Sequence, residues 1–240
     1  MNTIGLIGGT SWESTAVYYR LLNEGVRDRV GGLASASLVL VSLDFAPLAA
    51  AMAENRWDQV EATLTTAARQ LEAAGASSVG LCTNTMHKLA GPLAASTDLP
   101  FVDIRDVTGQ ALRAAGVKRP LLLATRTTME QDFYRGHMRC RFDLDIRIPD
   151  QPARDRLQAI IFDELCQGRV ETASKTAVLA MVKEAAVPGC DALIFGCTEI
   201  GLLLSQADTT LPVFDTTALH CAALLDLALS PSHATTSQAA

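Results

Sequence analysis

The sequence predicts an α/β fold of two pseudo-symmetric domains, each a parallel sheet flanked by helices, with the active site in the interdomain cleft. Three observations predict it. Short apolar runs alternate with helical stretches of roughly 12 to 18 residues, the mark of βαβ units. One pattern of segments recurs at nearly half the chain length. The composition is that of a folded globular chain: 240 residues, 49% hydrophobic and 19% charged.

Thr3 to Ile7 is an apolar run stopped by Gly8-Gly9-Thr10, hence a buried strand ending in a turn. A helix follows from Thr15 to about Arg29, before Gly31-Gly32. Ser37 to Leu43 is rich in β-branched residues and reads as the second strand. From Trp57 to Glu72 the apolar residues Val60, Leu64, Ala67, Ala68 and Leu71 recur at helical spacing, and Gly75 serves as the C-cap. Ser78 to Cys82 is the next strand.

The echo has four parts in the same order. Cys82, ending the strand from Ser78, is matched by Cys197 after Leu193-Ile194-Phe195-Gly196, 115 residues on. Leu99-Pro100-Phe101-Val102-Asp103 is matched by Leu211-Pro212-Val213-Phe214-Asp215 at an offset of 112. Gly75 corresponds to Gly189 at 114, and Thr3 to Gly9 loosely to Pro120 to Arg126. A single match could be chance, but four at nearly one offset indicate a duplicated α/β half. The expected division is residues 1–115 carrying Cys82 and 116–225 carrying Cys197, with Gly116 to Pro120 as the crossing. Residues 226–240 then hold the end of the last helix and a frayed tail.

Composition narrows the function. With 26 acidic against 20 basic residues, a net charge of −6 leaves no counterion-releasing surface, so nucleic acid is not expected as a partner. No apolar stretch approaches the roughly 18 to 20 residues that span a bilayer, and the N-terminus lacks the basic region of a signal peptide. A cytoplasmic location is expected. The six cysteines include no Cys-x-x-Cys pair and the histidines number four, so neither a disulfide framework nor a metal site is expected. Gly8-Gly9 lacks the spacing of a dinucleotide turn.

Two equivalent halves facing one another bring Cys82 and Cys197 to opposite sides of one cleft. That arrangement suits taking a proton from one face of a carbon and returning one to the other. Thr83, Asn84 and Thr85 after Cys82, and Thr198 and Glu199 after Cys197, offer hydroxyls and amides able to hold an anion. A helix start at these points is expected to lower the thiol pKa from about 8.5 toward working pH. Cys140, Cys166, Cys190 and Cys221 have no counterparts and read as structural. His87 stays open between tuning Cys82 and a hydrogen-bonded helix start. Trp12 and Glu13 read as fixing the first helix, and Tyr18, Tyr19, Phe133 and Tyr134 as core or interface aromatics.

GLIGGTSWESTAVYY from Gly5 to Tyr19, CTNTMHK from Cys82, TRTTMEQDFY from Thr125 and GCTEIG from Gly196 together resemble the aspartate/glutamate racemase family, nearest its bacterial broad-specificity amino-acid racemase branch. The resemblance covers nearly the whole chain apart from the tail. It implies an isomerase acting on a small amino acid without a cofactor, usually a homodimer. Cys82 and Cys197 match the paired acid/base thiols, the first acting on the D-enantiomer and the second on the L-enantiomer. Asn84, Thr85, Thr127, Thr128 and Thr198 match positions that grip the substrate carboxylate or ammonium, with Thr10 on the first loop nearby. Thr10 stands where a methionine is more usual, and Arg156 where relatives carry a lysine reaching the substrate. Aspartate-specific members place an arginine after the second strand. Here Ala46 to Met52 contains no basic residue, which argues against a purely aspartate-specific pocket. Two rivals remain: a same-fold decarboxylase or maleate-type isomerase, which needs one cysteine, and a non-catalytic amino-acid-binding protein.

Overall fold

The computed structural model describes residues 1–186 and 189–230, so residues 231–240 of the expected tail lie outside the described residues. The first part of the chain runs β1 (Ile4–Gly8), α1 (Trp12–Val30), β2 (Leu38–Ser42), α2 (Phe45–Ala53), α3 (Trp57–Ala73), β3 (Ser78–Leu81), α4 (Ala90–Ala94), β4 (Phe101–Val102) and α5 (Ile104–Ala114). The second runs β5 (Pro120–Leu123), α6 (Arg126–Glu130), α7 (Asp132–Phe142), α8 (Gln151–Ala159), α9 (Thr172–Ala186), β6 (Ala192–Phe195), α10 (Ile200–Leu203), β7 (Val213–Asp215) and α11 (Thr216–Leu229).

Two parallel sheets result, ordered β2-β1-β3-β4 and β5-β6-β7. Ile4 pairs with both Leu38 and Ser78, and Pro120 with Ala192. On the outer side of β5 a parallel bridge joins Leu121 to Arg147, where the first sheet has β2. Each strand of the echo thus occupies the same place in its own sheet. The alternation of strand side chains sorts the first core. Ile4 and Leu6 face the cluster containing Tyr18, Leu22 and Leu224, whereas Ile7, Val79 and Leu81 face Val60, Leu64 and Leu71 of α3.

α1 starts at Trp12, a turn earlier than its apolar spacing suggests, with Glu13 in its first turn, where a carboxylate complements the helix dipole. α2 occupies a segment to which the sequence reading gave no element. The Asp44 side chain accepts from the Ala46 amide at 3.1 Å, and Pro47 lies in the first turn, where a missing amide hydrogen is harmless. Gly75 has φ of 82° and donates its amide to Glu72, capping α3, and Gly189 shares that φ.

Packing crosses the order of the sequence twice. Leu224, Leu225 and Ala228 of α11 lie in the core cluster of β1 and α1, while Leu112 of α5 belongs to the core of the second sheet. At Gly109 of α5 the backbone comes so close to the Phe142 ring that an added methyl group would sit 2.3 Å from it. Each half therefore lends its last helix to the other sheet. The packing of these two helices crosses residue 115.

Candidate active site

Loops following β1, β3, β5 and β6 converge beyond the carboxyl ends of the strands, where open α/β sheets bind ligands. They line one cavity of about 210 Å³, whose walls include Thr10, Cys82, Asn84, Thr127, Cys197 and Glu199. A space of this scale suits a small organic molecule.

Cys82 directly follows β3, its amide donating to the Ile7 carbonyl at 2.9 Å, and its side chain is fully buried. Cys197 follows β6 after Gly196 and is 9% exposed. Ser14 ties the two strand ends together: its hydroxyl lies 2.8 Å from the Cys82 carbonyl and 2.7 Å from the Thr198 hydroxyl. A hydroxyl has one proton, and the carbonyl can only accept. Ser14 therefore donates to Cys82 and receives from Thr198, while Thr198 also receives from Thr217 at 3.2 Å.

Both thiols differ from the lowered pKa expected of them. Burial pushes Cys82 well up, and burial followed by the Glu199 charge pushes Cys197 well up. The physical reason is that each cysteine sits in a core. The helices beyond them, Thr85–Leu89 and α10, are about one turn long and carry little dipole to offset desolvation. The two environments also differ. The Cys197 thiol lies 2.9 Å from Glu199 Oε2, while Cys166 lies 3.6 Å from Oε1 of the same carboxylate. Cys166 is pushed up to about 12, by burial first and Glu199 second. For Cys82, burial is the one cause of the shift.

Of the other expected site residues, Thr10, Thr83, Asn84, Thr85, Thr127, Thr198 and Glu199 line the cavity. Thr128 is buried behind it in a triangle of hydroxyls, 3.3 Å from Thr85 and 3.1 Å from Thr125, with Thr85 and Thr125 2.8 Å apart. Arg156 is exposed and does not line the cavity; Gln158 does. Two residues apart on a helix means about 200° of rotation, so the face that turns Gln158 inward turns Arg156 outward. Sequence reasoning missed the residues on that same face. Gln158, Ile161, Phe162 and Cys166 follow the i, i+3, i+4, i+8 rule and all line the cavity, with a π-helical turn at Ile160–Glu164 between them. Phe45, Ala49, Met52 and Ala53 of α2 also line the cavity, at the i, i+4, i+7, i+8 spacing of one helical face.

His87 lies outside the lining. Its Nδ1 donates to the Thr83 carbonyl at 2.6 Å and its Nε2 accepts from the Ile104 amide at 3.2 Å, which fixes a neutral tautomer bracing α5 against the loop after β3. Burial lowers its pKa to about 4. Tyr18 and Tyr134 are fully buried, whereas Trp12 and Tyr19 are 65% and 59% exposed. Among the described residues no cluster of three or more His, Cys, Asp or Glu is placed to hold a metal ion, and no helix is long and apolar enough to cross a membrane.

Comparison with known proteins gives the family. The family model described as Asp/Glu/Hydantoin racemase matches residues 7–224. The chain belongs to the Asp/Glu/hydantoin racemase family. It is therefore an enzyme of the isomerase class. Among solved structures of this family, a candidate Asp/Glu racemase from Yersinia pestis is 42% identical, with a TM-score of 0.88 over 95% of this chain and 100% of that one. An aspartate racemase homologue from Pyrococcus horikoshii is 32% identical, with a TM-score of 0.82 over 95% of this chain and 99% of that one. Arylmalonate decarboxylase, 17% identical with a TM-score of 0.57 over 96% of this chain and 94% of that one, shares the fold alone.

Proposed function

We propose that this racemase inverts a small α-amino acid without a cofactor, Cys82 and Cys197 exchanging protons with opposite faces of the α-carbon. The observation that carries the reading is that two thiols at corresponding strand ends line one small cavity. Because burial keeps both protonated, a base must be made before catalysis. Glu199 Oε2 lies 2.9 Å from the Cys197 sulfur and accepts its proton. The Cys197 thiolate then takes the α-hydrogen and becomes a thiol again. The electron pair left on carbon takes the proton of the Cys82 thiol on the other face, leaving Cys82 as the thiolate. Hydroxyls of Thr10, Thr85 and Thr127 and the loop amides stabilise the charge that develops beside the carboxylate. By the family resemblance, Cys197 takes the proton of the L-enantiomer and Cys82 that of the D-enantiomer.

The test is racemisation in deuterated water with no cofactor added. With the wild-type enzyme the amino acid loses optical activity while deuterium enters its α-position. Cys82→Ser and Cys197→Ser each abolish racemisation, and each keeps exchange on one enantiomer. Loss of turnover in only one of the two variants would indicate one-cysteine chemistry of the decarboxylase type, and binding without exchange a non-catalytic protein. The homodimer implied by the resemblance belongs to the same proposal and is read by sedimentation.

A further inference from the structure

Resting on the racemase reading, we infer that the substrate is a neutral amino acid with an apolar side chain, and that amino acids with an acidic side chain are disfavoured. Among the described residues no lysine, arginine or histidine lines the cavity, and its one charged residue is the acid Glu199. Arg156 is exposed and outside the lining, and four other cations in neighbouring elements are engaged elsewhere. Arg126 is paired with Asp155 at 2.7 Å, Arg154 with Glu130 at 2.7 Å and Arg105 with Asp103 at 2.6 Å, while Lys88 lies over the Trp57 ring at 4.0 Å.

The lining also carries two kinds of group. Of its polar residues, Thr10 Oγ1 and Asn84 Oδ1 are buried without a partner, on residues 6% and 4% exposed. The Asn84 amide is fixed by its neighbour: Thr216 gives its only proton to the Phe195 carbonyl at 2.8 Å, so it must accept from Asn84 Nδ2 at 2.9 Å. The acceptor Oδ1 remains, and a buried acceptor without a donor is costly, so it calls for a ligand donor such as an ammonium group. The apolar part of the lining is Phe45, Ala49, Met52, Ala53, Ile161 and Phe162, with the two phenyl rings 6.3 Å apart.

A zwitterion with an uncharged side chain enters with no net charge. Its ammonium meets Asn84 Oδ1 and Glu199, and its single carboxylate meets hydroxyls and amides. The side chain then covers the apolar wall. A dicarboxylate brings a second anion to a wall with no donor, in a space that already holds a carboxylate, and loses its hydration without compensation.

Two panels test this, each using leucine, methionine, glutamine, asparagine, glutamate and aspartate in both configurations. One measures α-deuterium exchange rates; the other measures binding to the full chain by calorimetry. Leucine and methionine are expected to exceed glutamate and aspartate in kcat/KM by at least tenfold, about 1.4 kcal/mol, and to bind more tightly in the same order. Met52→Arg, which adds a cation to the wall, is expected to narrow that ratio at least tenfold. Glutamate or aspartate matching the apolar amino acids in rate and binding overturns the inference while leaving the two-thiol racemase standing. Binding in the expected order with no exchange of any member overturns the racemase reading and supports the substrate class. No binding and no exchange overturns both.

Discussion

Lowering the pH from 6.5 to 5.5 is expected to remove about 2 kcal/mol of stability through two histidines that never touch the cavity. His87 is held as described above. His220 donates Nε2–H to the Val102 carbonyl at 2.8 Å, so its Nδ1 accepts from the Tyr18 hydroxyl at 2.8 Å. Neither ring has room or a partner for a second proton. Burial first, and for His220 the nearby His87 second, lower the folded-state values to about 4 and about 3. The unfolded chain titrates near 6.5. Between these values the unfolded state binds protons that the folded state refuses, so stability is full above pH 6.5 and declines as the pH falls toward 4. Over the stated unit each histidine contributes about 1 kcal/mol, and the slope near pH 5.5 is about 2.5 kcal/mol per pH unit. The window is chosen to stay well above ordinary carboxylates, because burial raises Asp215 and its linkage runs in the opposite sense. Urea unfolding at half-unit pH steps reads the slope, and imidazole proton shifts of the native protein read the two values. A flat profile between pH 6.5 and 5.5, or native histidine resonances that all titrate above pH 6, refutes the assignment of both rings as locked neutral.

Glu199→Gln is expected to slow racemisation by about 10² to 10⁴. It should at the same time lower the Cys197 thiol pKa, since Glu199 now raises it; thiolate ultraviolet absorbance against pH separates this from simple damage, which would leave the titration unmoved. Ser14→Ala leaves the Cys82 carbonyl and the Thr198 hydroxyl without their shared partner and is expected to cost about 2 kcal/mol in urea unfolding, with no change in m-value. Gly9→Ala is expected to cost at least about 2 kcal/mol, because Gly9 has φ of 79° and an added methyl would sit 2.1 Å from the Leu43 carbonyl oxygen. A wild-type urea midpoint for this variant would show that the turn is not held as described.

The parts of this molecule legible in its sequence are those written locally. The β1 run, the apolar stripe of α3 and the strand-end cysteines all follow from short-range pattern, and the repeat offset places Cys82 and Cys197 in corresponding positions without knowledge of either sheet. Three things were not legible, each for its own reason. α2 is a run of small and apolar residues with no polar face to set a period, so it shows no helical signal. Arg156 matches a family position by alignment, but rotation about the helix turns Gln158 inward instead. The raised Cys82 pKa depends on desolvation in a core built with α1 and α11, which lie far from it in sequence. Which sheet a helix covers is likewise invisible locally: α11 follows β7, yet Leu224 presses on Gly80 of β3, where an added methyl would meet it at 2.8 Å.

That exchange of helices has a consequence for biosynthesis. The first strands leave the ribosome early, but the core that β1 shares with α1 is completed only when α11 emerges. At roughly 5 to 20 residues per second, about ten seconds or more separate Cys82 from its covering layer. During that interval the Cys82 side chain lacks the α11 part of its covering layer, so an electrophile present during translation is expected to reach more readily a thiol that is fully buried in the finished enzyme.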